Sequence, residues 1–351
     1  MNLATLEDLD DLDKRIVVAL QHDGRASWRA VAEAVDASVT TVSRRGQQLI
    51  ADGVVRVAAV PALGADGPFD SFWVRINCAT GTQVQVAAAL AANPDVRFCT
   101  IVTGGYDVIL ELVVRGGAAH HARVLQEVQS VPGVERWRSD LILHVYKVSF
   151  DWGRQLYREL LGPPAEGDEA EAAEPVICVP EHFDDADRQI VAALRDDGRR
   201  TFQSIADEIG MNESSVRRRF ERLRASQCIS LLTLVPSAAL GMSSEALMTV
   251  KVAPSRIDAV AHELARYPFV RYLAALLDEN SLLCEIITPT VEELYAFITG
   301  SLARLDGVEG WNASLEVLYL KRGFVETPWW RAQASEIAAG VDTRTGPSAD
   351  T

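Results

Sequence analysis

The chain repeats itself. Residues 13–49 (DKRIVVALQHDGRASWRAVAEAVDASVTTVSRRGQQL) align without a gap with 187–223 (DRQIVAALRDDGRRTFQSIADEIGMNESSVRRRFERL), at an offset of 174, with 13 of 37 positions identical. Most other positions are similar, as in Trp28/Phe202, Val31/Ile205 and Val35/Ile209. Val60-Pro61 is answered by Val235-Pro236, and Leu63-Gly64 by Leu240-Gly241 after a short insertion. The offset of 174 returns at Pro94/Pro268 and Gly133/Gly307. A tandem duplication limits the fold severely, because whatever one half forms the other must form too. Between the halves, residues 159–187 carry ten acidic residues and no Lys or Arg, which predicts a solvated linker.

Each unit has two modules. In residues 9–20, Leu9, Leu12, Ile16, Val17 and Leu20 recur at helical spacing, and Gly24 ends the run. Ser27 is the expected N-cap of a second helix and Ser38 of a third, with a tight turn at Asp36-Ala37 between them. Two short helices joined by such a turn make a helix-turn-helix, with Val54-Val55-Arg56-Val57 as the expected wing. The second copy has Thr201 and Asn212 as caps and Gly210 in the turn.

The other module spells β-α-β-β-α-β. Strands are expected near 71–78, 96–102, 107–114 and 136–147, with helices near 82–93 and 118–130. The second copy has strands near 246–252, 270–276, 281–287 and 311–320, with helices near 255–266 and 290–305. The fold class is therefore α+β, two tandem copies of a winged helix-turn-helix followed by a ferredoxin-like βαββαβ module. The expected divisions are 7–57 and 66–150, an acidic linker at 151–182, then 183–232, 243–324, and a tail at 325–351.

In order and spacing these features resemble the Lrp/AsnC family of bacterial regulators. Its marks are Leu12-Asp13, Ile16, Leu20, Asp23-Gly24-Arg25, Val42, Arg45, Leu49, Leu63-Gly64, Gly104, Tyr106-Asp107, Pro132-Gly133-Val134 and Lys147. The resemblance covers nearly the whole chain, twice, whereas a typical member has one such unit. It implies control of transcription, with a small effector, often an amino acid, sensed by the βαββαβ module.

The net charge of −15 argues against a non-specific polyanion binder, but distant charges are screened, so local clusters decide. The expected DNA-reading helix of the second copy offers Asn212, Ser214 and Ser215 for base edges, and Arg217, Arg218, Arg219 and Arg222 for phosphates. The first copy offers Thr40, Thr41, Ser43, Arg44 and Arg45, interrupted by Gly46, which weakens a helix interior. The second helix is expected to dominate binding to double-stranded DNA. By the same resemblance an effector belongs near Gly104, Gly105, Tyr106, Asp107 and Ser139 of the first module. In the second copy the loop is Asp278-Glu279-Asn280-Ser281 and Ala313 replaces Ser139, so no effector is expected there.

A βαββαβ module leaves one sheet face without helices, and pairing of modules is expected to cover it. The expected working unit is a homo-oligomer of at least two chains, exchanging modules across the linker. No apolar run is long enough for a membrane span, and the acidic N-terminus lacks signal-peptide character, so a cytoplasmic location is expected. Five cysteines without a C-x-x-C pair and six scattered histidines imply neither metal nor cofactor. The seven tryptophans, including Trp137 and Trp311, are expected to pack, and Trp329-Trp330 to dock on the body. No P-loop, G-x-S-x-G or H-E-x-x-H is present, and the chain is not expected to be an enzyme. Two other readings stay open. Sirohaem decarboxylases combine similar modules, but their histidine- and aromatic-rich patch is answered here by Arg97-Phe98-Cys99-Thr100 and Arg271-Tyr272-Leu273-Ala274. The other is an assembly or co-regulator protein that no longer binds DNA.

Overall fold

The computed structural model describes residues 9–65, 67–149, 152–161, 174–175, 178–179, 181, 183–278 and 280–342. Most of the expected linker, Glu279 and the end of the tail lie outside the described residues. The first half runs α1 (Asp11–His22), α2 (Trp28–Ala34), α3 (Val39–Ala51), β1 (Arg56–Pro61), β2 (Phe69–Cys78), α4 (Gln83–Ala91), β3 (Val96–Val102), β4 (Val108–Arg115), α5 (Ala118–Gln129), β5 (Val134–Val148) and α6 (Arg154–Leu161). The second runs α7 (Asp185–Asp196), α8 (Phe202–Ile209), α9 (Glu213–Ala225), β6 (Ile229–Leu234), β7 (Ser244–Val252), α10 (Ile257–Ala265), β8 (Val270–Leu276), β9 (Ser281–Thr288), α11 (Val291–Gly300), β10 (Val308–Arg322), β11 (Val325–Glu326) and α12 (Trp330–Asp342).

Caps start the six helices of the helix-turn-helix units. Asp10, Ser27 and Ser38 in the first copy, and Asp184, Thr201 and Asn212 in the second, each accept the backbone N–H three residues on. The turn between the last two helices needs a left-handed residue, and Asp36 (φ 50°) and Gly210 (φ 70°) stand at that one equivalent position.

The strand after each recognition helix does not form a wing within its own copy. β1 pairs antiparallel with β6, from Arg56↔Leu234 to Pro61↔Ile229. At the offset of 174, Ala58↔Leu232 pairs a residue with its own equivalent, so a pseudo-twofold axis passes through this ribbon. The expected wing is corrected to a ribbon shared by both copies. The apolar positions of one strand alone have no sheet to complete, and the duplicate supplies the missing partner.

The βαββαβ modules are joined in the same way. The N-terminal part of β5 pairs with β2, and its C-terminal part with β8 of the other module. β10 pairs first with β7 and then with β3. With β2–β4, β3–β4, β7–β9 and β8–β9 these pairings close an eight-stranded antiparallel barrel, to which β11 adds an edge. Closure leaves no open edge between the modules. Trp73, Phe98, Ile109, Ile142, Leu247 and Leu283 meet inside. Outside, Leu318 and Leu320 of the second copy join the core beneath α4 and α5, and Tyr146 of the first joins that beneath α10 and α11.

The expected exchange with a second chain is not needed for this cover. The helix-free sheet face that called for it is covered by the other module of the same chain, because β5 and β10 are each 15 residues long and bridge both sheets. Trp329 and Trp330 dock as expected, buried in the cores of the first helix-turn-helix and the first module. Trp311 does not pack: half of it is exposed, with Leu315 and Val317 beside it along β10. All five cysteines are buried. Among the described residues, no helix is long and apolar enough to cross a membrane.

Candidate nucleic-acid interface and module seam

Equivalent arginines tie the two helix-turn-helix units together. Arg199 donates to the carbonyls of Gly24 (2.6 Å) and Ala26 (2.8 Å), with its guanidinium over the Trp28 ring. Arg25 donates to the carbonyls of Gly198 and Arg200 and lies over Phe202. Burial pushes both arginines below their ordinary pKa, and a guanidinium remains charged in a folded protein. With the β1–β6 ribbon, this exchange fixes one recognition helix relative to the other.

The expected DNA-binding residues divide into two groups. Arg45 of α3 is ion-paired with Asp10, the cap of α1, and with Asp13 in its first turn. Its equivalent Arg219 of α9 is paired with Asp184 and Asp187, and Arg222 also reaches Asp187, whose side chain is fully buried. These three arginines are engaged in holding the recognition helix onto the first helix. Arg44 and its equivalent Arg218 are exposed and make no hydrogen bond or ion pair among the described residues. Arg217 is exposed beside Glu213 and over Phe202. Thr40 and Ser214 are exposed, while Thr41, Ser43 and Ser215 are half-buried. The Asn212 side-chain oxygen is occupied as a cap, accepting from Ser215 N–H and Ser214 Oγ.

Gly46 does not break α3, which runs unbroken to Ala51. A Cβ there would lie 2.3 Å from a Trp28 ring carbon. In the second copy the same two positions are Phe202 and Phe220, packed at 5.2 Å between centroids. The larger ring of one copy is matched by the missing side chain on the facing helix. The expectation that Gly46 weakens the first reading helix is replaced by this packing account.

The effector residues are not gathered into one cup. Gly104, Gly105, Tyr106 and Asp107 form one turn at the seam, where Thr103 N–H donates to the Leu315 carbonyl and a Cβ on Gly104 would lie 3.3 Å from Ser314 Oγ. Asp107 Oδ2 accepts the Cys78 backbone N–H at 2.8 Å, so its carboxylate already closes the turn. Ser139 pairs with Val74 on the far side of β2, on the helix-facing surface. The second copy's loop instead ties the modules together, as Asp278 binds Arg75 (2.9 Å) and Arg138 of the first module, next to Asp140. Lys147 donates to the carbonyls of Ala265 and Tyr267, and its equivalent Lys321 to that of Asn93, each closing the end of the other module's helix.

Matches to family models follow the same divisions. The AsnC-type helix-turn-helix domain matches residues 9–50 and 183–224, and the Lrp/AsnC ligand binding domain matches 71–151 and 245–322. The chain belongs to the Lrp/AsnC family. Relatives in the family match one copy at a time. HTH-type transcriptional regulator FL11 of Pyrococcus horikoshii is 30% identical over 147 residues, 42% of this chain and 96% of its own length. The Bkd operon transcriptional regulator of Pseudomonas aeruginosa is 31% identical over 144 residues, 39% and 93% respectively. Among solved structures, the siroheme decarboxylase NirDL covers 95% of this chain and all of its own, with TM-score 0.57 and 13% identity. That likeness is one of fold, extending to the fused pair.

Two groupings had no signal in the sequence. His144 and His262, 118 positions apart, both face Glu174 (3.3 and 3.7 Å) and flank the Tyr146 ring. Inside the barrel Arg97 pairs with Glu111, and Arg271 and Arg322 with Glu245 and Glu285. Burial pushes Glu285 up, but Arg322 and Arg271 outweigh it and hold the carboxyl below its usual range. Burial, then the Glu285 charge, pushes Glu316 well above it. Two guanidiniums, Arg271 and Arg322, stand beside these carboxylates, which makes the cluster a poor cation site.

Proposed function

We propose that this chain is a sequence-specific DNA-binding transcriptional regulator whose two helix-turn-helix units form one pseudo-twofold reading head within a single chain. One observation carries this reading: the ribbon and the Arg25/Arg199 exchange fix two recognition helices that each present an unengaged arginine, Arg44 and Arg218, beside short polar side chains. Phosphate contact falls to Arg44, Arg217 and Arg218, and base contact to Thr40, Thr41, Ser43, Ser214 and Ser215. Arg45, Arg219 and Arg222 position the helix. Because the helices differ at Ser43/Arg217, the two half-sites are unlike, and one chain reads both.

The finer part of the proposal is control by a small effector, an amino acid first, at the exposed glycines of the 103–107 turn. Its support is that this turn packs on the other module, so a ligand there bears on the seam. Higher assembly is proposed to use the exposed Trp311, Leu315 and Val317.

The enzyme reading has only the fold in its favour. The second NirDL structure is described as a co-complex with an iron-uroporphyrin III analogue. Uroporphyrin is a polycarboxylate. In this chain the cavity at the end of the barrel is lined by Asp70 and Glu174, and against several carboxylates it offers one guanidinium, Arg97 beside Glu111, and one imidazole, His144 beside Glu174. That lining disfavours a polyanion. A pigment with a Soret band on the purified protein would reverse this ranking.

The test is fluorescence anisotropy on DNA fragments selected by the full chain, titrated across salt. R44A and R218A should each lower the log–log salt slope by about 0.9. Absence of any sequence preference, or slopes unchanged in both variants, overturns the proposal.

A further inference from the structure

The duplicated unit provides an internal comparison. Where the end of the barrel meets the β1–β6 ribbon, one copy is hollow and the other is filled. The hollow side holds a cavity of about 600 Å3, lined among others by Ser71, Arg97, Leu141, Val145, Val148 and Phe324. At the offset of 174, Ser71 corresponds to Glu245, Arg97 to Arg271, Val145 to Tyr319 and Val148 to Arg322. On the filled side, Tyr319 Oη and Ser237 Oγ both donate to Glu245. Arg322 donates to Glu285 and stacks on the Tyr319 ring. Three large side chains thus occupy the space that Ser71, Val145 and Val148 leave open.

The filled side also shows what chemistry is missing from the hollow one. Arg271 faces two carboxylates, Glu285 at 3.8 Å and Glu245 at 3.9 Å. Arg97 has Glu111, the equivalent of Glu285, but a hydroxyl, Ser71, stands where Glu245 would be. Ser71 Oγ donates its one proton to Glu111, so the remaining donors on this floor are the further N–H groups of Arg97. Around this floor Leu141, Ile142, Val145, Val148 and Phe324 form an apolar wall, and Asp70, His144 and Glu174 a polar one. A cavity of this volume suits a small organic ligand.

We propose that the hollow side binds a small apolar monocarboxylate. Its head group takes the place of the Glu245 carboxylate against Arg97, in the room that the small Ser71 side chain leaves. Its aromatic or branched aliphatic body lies along Val145 and Val148, as the Tyr319 ring and Arg322 stem do in the other copy. One carboxylate is the limit, because Asp70, Glu111 and Glu174 already make the surroundings acidic. The site is distinct from the 103–107 turn and does not depend on DNA binding.

The experiment is calorimetry of the full chain, without DNA, against 4-methylpentanoate, 3-phenylpropanoate, 1-naphthylacetate and decanoate, each paired with its primary amide. The expected result is saturable binding of at least one acid, with its amide weaker by about tenfold or more. Val145→Tyr, which installs the filled copy's ring, should weaken that acid by about tenfold or more. Ser71→Glu, which installs the missing carboxylate, should do the same and serves as the second variant if V145Y fails to fold. No saturable binding by any acid up to about 5 mM overturns the proposal. So does equal binding of acid and amide, or parental affinity in a folded variant.

Discussion

Phenylalanine at position 46 should be intolerable alone and tolerable with phenylalanine at position 28. The site of even a first added carbon lies 2.3 and 2.4 Å from two Trp28 ring carbons, against about 3.5–4.0 Å for unstrained carbon contact. A whole ring would have to displace the indole and with it the guanidinium of Arg199 stacked 4.3 Å from its centroid. Leaving glycine returns about 0.5–1 kcal/mol of helix propensity. Overpacking a fitted site costs about 1–3 kcal/mol, here at the upper end because the neighbour is a rigid ring. G46F is therefore expected to lose about 2 kcal/mol, and W28F about 1–2 kcal/mol for the gap left by the smaller ring. The double variant W28F/G46F recreates the Phe202/Phe220 pair and should return to within about 1 kcal/mol of the parent, a coupling of about 2–3 kcal/mol. Urea denaturation followed by far-ultraviolet circular dichroism measures all four proteins. A double variant whose loss equals the sum of the singles would refute the compensation argument.

Three further outcomes are expected. R199A should lower stability by about 1.5–3 kcal/mol, the range for hydrogen bonds from a charged donor, and weaken DNA binding without changing its salt slope. A reduced slope would place Arg199 on phosphate instead. R219A should lower the urea midpoint while leaving the salt slope near that of the parent; the opposite pattern, slope without stability, would return Arg219 to the DNA surface. Asp184 is held below its usual 3.8 by the Asp187 N–H and then Arg219, and Asp10 by Arg45 above all. A carboxyl depressed in the fold contributes fully above 3.8 and loses that contribution as pH falls through its folded value. Acid titration should therefore show the parent losing stability below pH 3.8 more steeply than D10N/D184N, and identical profiles would discount these pairs.

Local features were legible because they are local. Ser27, Ser38, Thr201 and Asn212 act as caps where spacing placed them, and the strands expected at 96–102 and 270–276 are β3 and β8. What escaped is relational. Val57 has the same apolar character in a wing as in a ribbon paired with Thr233, so composition does not choose between them. The 15-residue length of β5 shows only in the structure to be two pairing segments with different partners. Arg44 and Arg45 are adjacent and identical in type, yet one is exposed and the other bound to Asp10, a distinction set by helix phase against α1. The hollow was hidden because it is a difference between copies, Val145 against Tyr319, and gains meaning only once both are seen to occupy equivalent places.

The cross-pairing of the copies has a cost during synthesis. β1 waits for β6, and β3 waits for the far half of β10, whose last residue is Arg322. At about 5–20 residues per second, some 170 residues take about 10–30 s to emerge from the ribosome. Throughout that interval the first half carries open strand edges on β1, on β3 and on the C-terminal part of β5, each a template for pairing with a neighbouring nascent chain on the same message. Native closure from such a start demands that the chain find its own second half before another chain's first. Slowed elongation across the acidic stretch would lengthen that exposure, and the yield of folded protein should fall with it.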